Sequence, residues 1–119
     1  MRSTTGHTFG GYASESWTSN GGSITTAGCF LFLVENPHND APRCFEYVSN
    51  QAMYCGSSYG PTFGGGHDLA LHPGSDTAQS QTSGFHSFTD TLGRGSATFT
   101  GASAFTPEDY EVWDVKRYF

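Results

Sequence analysis

Gly60-Pro61-Thr62-Phe63-Gly64-Gly65-Gly66-His67-Asp68 sets two ionisable side chains directly after three successive glycines. Glycine reaches positive φ without steric cost and lets another backbone or a ligand come close. A run of three costs conformational entropy on folding, so it needs a structural or functional reason. Leu69-Ala70-Leu71 follows at once and reads as a short buried strand. The stretch therefore predicts a sharp bend, with Gly64, Gly65 and Gly66 as its structural turn, that delivers His67 and Asp68 to the mouth of a sheet.

The surrounding composition points the same way. The 119 residues suit one domain, 1–119, large enough for a core of its own. Charged residues are 13% and aromatics 15%, with 16 glycines. Abundant Phe and Tyr without sustained Leu or Ala periodicity favour strands over helices. Disordered chains are poor in aromatics, so the Gly, Ser and Thr belong to loops. The net charge is −6 and the five basic residues are scattered, which argues against a nucleic-acid partner or an anionic membrane surface. No stretch reaches the roughly 20 apolar residues of a membrane span. The N-terminal residues carry no apolar signal core, so a cytoplasmic setting is expected. Cys29, Cys44 and Cys55 form no metal or redox spacing, and Cys29 and Cys55 read as small buried hydrophobes rather than disulfide partners.

Apolar runs alternate with turn residues along the chain. Thr8 to Tyr12 reads as a first strand, Ser14 to Thr26 as a turn-rich loop holding Trp17, and Cys29 to Glu35 as a strand covered on both faces. Arg43 to Val48 alternates, with Cys44, Glu46 and Val48 on one face and Arg43, Phe45 and Tyr47 on the other. Ala52 to Cys55 is a further short strand. Residues 72–84 read as a long polar loop, and Phe85 to Phe88 and Ala97 to Phe99 as short aromatic strands. Thr106-Pro107-Glu108-Asp109 carries a helix-start signature. Glu111 to Val115 alternates as a closing strand. Together these predict an all-β fold, a two-sheet antiparallel β-sandwich with long polar loops and short helical turns.

This order of segments resembles the TLDc domain family, especially its protist-type members. The resemblance rests on Phe9-Gly10-Gly11-Tyr12 followed by Trp17, on Phe30-Leu31-Phe32-Leu33, on Ala52-Met53-Tyr54-Cys55, and on the Gly60 to Leu69 stretch. Phe85-His86-Ser87-Phe88, Phe105 and Glu111-Val112-Trp113 complete it, so it runs from about Gly6 to Val115. It implies a two-sheet sandwich with small helical pieces and a non-catalytic role. Members of the family are linked to oxidative-stress protection and to the V-type proton ATPase, and neither role carries over to particular residues here. The family's further N-terminal portion, a helix and strands ahead of the Phe-Gly-Gly strand, has no counterpart in this sequence. An unpaired edge in its place would favour association, so a homo-oligomer is one expectation.

His67 and Asp68 are the strongest polar pair. As a binding site, Asp68 could ligate Ca²⁺ or grip a hydroxyl-rich ligand beside His67, with Asp76, Ser75 and Thr77 nearby. As a structural group, Asp68 would accept backbone N–H groups and fix the glycine turn. Trp17 could stack on a sugar, which makes a small carbohydrate-binding protein, calcium-assisted or not, the alternative to a protein-interaction module. Cys55, His67 and Asp68 are the residue types of a nucleophilic triad. Neighbours on a strand point to opposite faces, though, so an enzyme is the weakest reading, and no cofactor is expected. The histidine spacings match no common zinc site. The function expected is a non-catalytic module that binds a macromolecular partner through its loop-rich end.

Overall fold

The computed structural model describes residues 1–18, 21–49, 51–72 and 80–111. Among the described residues, eleven strands run β1 (Arg2–Ser3), β2 (Thr8–Tyr12), β3 (Gly22–Ile24), β4 (Phe30–Glu35), β5 (Arg43–Glu46), β6 (Met53–Cys55), β7 (Thr62–Phe63), β8 (Leu69–Ala70), β9 (Ser80–Gln81), β10 (Ala104–Phe105) and β11 (Pro107–Asp109). They form two antiparallel sheets, ordered β11-β1-β2-β4-β5 and β10-β9-β8-β7-β6-β3. The expected all-β sandwich is the fold.

The core lies between the sheets and follows the period-two alternation of the strands. Phe9, Leu31, Leu33 and Phe45 come from the first sheet, and Met53, Phe63, Leu69 and Phe105 from the second. Phe9 meets Phe105 edge to face at 5.1 Å and Phe99 at 5.0 Å between ring centres. Gly11 shows why the Phe-Gly-Gly strand lacks side chains in its middle. A Cβ there would overlap the Phe63 ring, so only glycine lets β2 approach the opposite sheet so closely.

Several local expectations are corrected. β4 is flanked by β2 and β5, but only Leu31 and Leu33 are buried; Phe30 and Phe32 are half-covered and Val34 is exposed, so one face is open. The turn-rich loop after Trp17 contains β3, whose three residues pair with β6. The polar stretch 72–84 contains β9, held between β8 and β10. Phe85 to Phe88 is no ladder strand, since the N–H groups of His86, Ser87 and Phe88 go to a side chain, and among the described residues Phe88 makes an isolated bridge, to Tyr47. Gly95–Ala97 is a 3₁₀ turn that continues into turns at Thr98 and Phe99, with Phe99 inserted fully into the core.

The helix-start signature at Thr106 is overridden. Pro107–Asp109 is edge strand β11, paired with β1, and an edge position tolerates a proline without its N–H. Val112 to Val115 of the expected closing strand, including Trp113, lie outside the described residues. Among the described residues the three cysteines are free thiols, with Cys29 and Cys55 buried and Cys44 exposed.

Candidate functional site

The glycine bend links β7 to β8. Gly64 and Gly65 donate their N–H groups to the carbonyls of Ala52 and Gln51 at 2.8 and 2.9 Å, which anchors the bend to the residues leading into β6. Gly64 has φ +84°, a region that costs an L-residue, and a Cβ there would overlap the Asp68 carboxylate. His67 also has positive φ, at 58°, and donates its N–H back to the Gly64 carbonyl at 3.1 Å. The tight, left-handed turn separates the two ionisable neighbours.

Asp68 is 1% exposed. Its Oδ2 accepts the backbone N–H groups of His86, Ser87 and Phe88 at 2.8, 2.8 and 3.2 Å. Those donors come from the segment after β9, not from the glycine turn. The carboxylate thus ties the bend to a remote, non-strand piece of chain and satisfies N–H groups that no ladder takes up. Its Oδ1 is buried against Gly64 with no hydrogen-bond partner among the described residues. Burial pushes the carboxyl above its ordinary value of 3.8, and the three N–H groups and nearby His86 pull part of the way back.

His67 turns elsewhere. Its half-buried ring packs against Tyr54 and Tyr59 at 5.1 and 5.0 Å, and those two tyrosines meet edge to face at 5.4 Å. Trp17 is half-buried, donates its indole N–H to the Thr62 carbonyl at 3.1 Å, and sets its ring against Phe63. Asp76 lies outside the described residues. The fold therefore does not bring His67, Asp68 and Trp17 onto one ligand. His67 faces tyrosines, Asp68 faces backbone, and Trp17 braces β7. Nor is a Cys55–His67–Asp68 relay assembled, because the Asp68 carboxylate holds amides rather than an imidazole. Among the described residues no group of three or more His, Cys, Asp or Glu side chains is placed to hold a metal.

Two concavities meet at Trp17 and Pro61. A notch of about 220 Å³ is lined by Trp17, Tyr54, Tyr59 and Pro61. A larger groove of about 940 Å³ runs past Tyr12, Trp17, Phe63 and Tyr110. Sequence reasoning singled out Trp17 but missed Tyr12, Tyr54 and Tyr59. Their signal was the local density of tyrosine beside glycine and proline, which reads equally as loop filler. Both concavities sit at the end of the sandwich where residues 13–18 and 56–61 come together.

A two-sheet antiparallel sandwich with an aromatic end defines a small β-sandwich module. The family model of the TLDc domain matches residues 1–116, and the chain belongs to that family. No curated protein and no solved structure gives a significant match.

Proposed function

We propose that this chain is a non-catalytic interaction module of TLDc type that binds a macromolecular partner through the loop-rich end of its sandwich. The observation that carries the reading is the aromatic wall there. Tyr12, Trp17 and Tyr54 are half-buried and Tyr59 is 42% exposed, around two adjoining concavities, while Phe9, Phe45 and Phe99 are fully enclosed. Tyr and Trp combine a large apolar face with a polar tip, and they dominate the energetic centres of protein interfaces. The net charge of −6 favours a partner with a basic surface.

The test is photocrosslinking with a benzophenone amino acid at Tyr59 and, separately, at Ala41. Ala41 lies in the loop after Glu35, at the far end of β4 from the Phe30–Tyr12 pairing. Extract of cells that express the chain natively is expected to give adducts from position 59 that excess unlabelled protein competes away. Equal adducts from both positions would overturn the reading. So would adducts from Ala41 alone, or glycan-array binding without any protein adduct.

A further inference from the structure

The smaller concavity at this end is walled by Trp17, Tyr54 and Tyr59, with Gly56, Gly60 and Pro61 also lining it. Each of the three rings is held in place. Tyr54 and Tyr59 stand at 88° to one another with centres 5.4 Å apart, which makes a corner rather than a flat platform. The His67 ring braces both, at 5.1 and 5.0 Å. A Cβ on Gly56 would stand 2.6 Å from Tyr54 Cε1 and 2.9 Å from Tyr59 Cδ2, so glycine there lets both rings close down on the backbone. The Tyr59 N–H donates to the Gly56 carbonyl at 3.1 Å and closes the turn that carries them. Trp17 is fixed by its indole N–H on the Thr62 carbonyl and by its edge contact with Phe63, so its one polar group is already used. The walls are therefore preorganised, which keeps the ordering cost of binding low.

We infer that this notch is an aromatic cage for a trimethylated lysine side chain of a partner protein. The inference rests on the interaction-module reading and names what the Tyr59 face recognises. At about 220 Å³ the notch is smaller than the roughly 300–1,000 Å³ of sites that enclose a whole small molecule, so it suits one compact group. Ring faces carry the negative part of the aromatic quadrupole, and a cation over Trp or Tyr is attracted to it. An unmodified lysine ammonium brings three N–H donors that ring faces satisfy poorly, and it is strongly hydrated. The quaternary group has no N–H to satisfy, keeps its charge, and packs its methyl groups against the rings. Past Trp17 and Pro61 the notch opens into the larger groove, which gives the rest of the segment a path, and exposed Glu15 lies there. With a net charge of −6 on the chain, a segment that is basic around the modified lysine is favoured.

The probe is acetyl-Gly-Lys(Me₃)-Gly-Arg-Gly-amide, titrated into the full ¹⁵N-labelled chain and followed at the Gly56 and Tyr59 amides and the Trp17 indole. Half-saturation is expected below about 1 mM, the weak end of recognisable affinity. The unmethylated peptide, and one whose trimethylammonium is replaced by a neutral tert-butyl group of the same shape, are each expected to bind about tenfold more weakly. Tyr59→Leu is expected to lose about tenfold and Tyr59→Phe to stay within about twofold, because the ring rather than the hydroxyl recognises the cation. No response at these positions up to about 1 mM trimethylated peptide would overturn the inference. So would equal binding of the unmethylated peptide, or of the neutral isostere, which would make the notch a plain apolar pocket. Free choline binding as tightly as the peptide would also overturn it, by moving the quaternary ammonium from a protein to a small molecule. The isostere comparison uses the wild-type chain, so it decides even where a Tyr59 variant does not fold. Adducts at Tyr59 with no response to the trimethylated peptide would sink the cage alone; absent adducts with no response would sink the module reading as well.

Discussion

Removing the Asp68 carboxylate tests the structural logic most directly. In Asp68→Ala the N–H groups of His86, Ser87 and Phe88 lose their common acceptor. Water can reach the exposed His86, but Ser87 and Phe88 are 1% and 3% exposed and their donors would stay unmet. A buried donor left without a partner costs about 1–3 kcal/mol, so the two together should cost about 2–6 kcal/mol. That is a large part of the roughly 5–15 kcal/mol by which such a domain is stable. Asp68→Asn keeps one accepting oxygen but puts an amide N–H₂ where the unpartnered Oδ1 lies against Gly64, for about 1–3 kcal/mol. Urea unfolding followed by circular dichroism should show the order wild type, Asn, Ala, with the Ala midpoint lowered by roughly 1–3 M at unchanged slope. The pH dependence has a definite sign. Because the folded-state pKa is raised above the ordinary 3.8, the native chain holds this proton more tightly than the unfolded chain does. The contribution is fully present below 3.8 and is lost as pH rises through the folded value, so the advantage of wild type over Asp68→Asn should shrink across that window. An Ala variant within about 0.5 kcal/mol of wild type would refute the reasoning, as would a wild-type advantage that grows with pH.

The turn and the thiols give two further predictions. Gly64→Ala adds a left-handed backbone penalty to a collision with Asp68, whereas Gly93→Ala, with φ +68° and open space around its would-be Cβ, adds the backbone penalty alone. Thermal unfolding should place Gly93→Ala about 1–2 kcal/mol below wild type and Gly64→Ala clearly further down; equal losses would contradict the close Gly64–Asp68 packing. Native protein treated with a thiol-specific chromogenic disulfide should release one equivalent quickly, from exposed Cys44, and three only after unfolding. Fast reaction of a second thiol would contradict the burial of Cys29 and Cys55.

How much could be read in advance depended on whether the signal was local. The strand Thr8–Tyr12 and the alternation from Arg43 onward were legible because period two is a property of neighbouring residues. β3, β9 and β10 were not, since their few Gly, Ser, Gln and Ala residues become strands only when a partner edge takes their N–H and C=O groups. Thr106-Pro107-Glu108-Asp109 carried a good helix start and still became a strand, because pairing with β1 outweighed a local cap. At the site, the bend and its two ionisable residues stood out from the glycine run, whereas the tyrosines around it did not.

The sequence by itself determined the all-β class, the family and the bend at Gly60 to Asp68. Alternation, aromatic content and a glycine run are local quantities that survive without coordinates. The tertiary structure alone decided what that bend is for. It brought His86, Ser87 and Phe88 onto the Asp68 carboxylate from 18 to 20 residues away, and turned His67 toward Tyr54 and Tyr59. A carboxylate's role depends on which donors reach it, and a strand's on which edge it meets. Both are fixed by packing between segments distant in the chain.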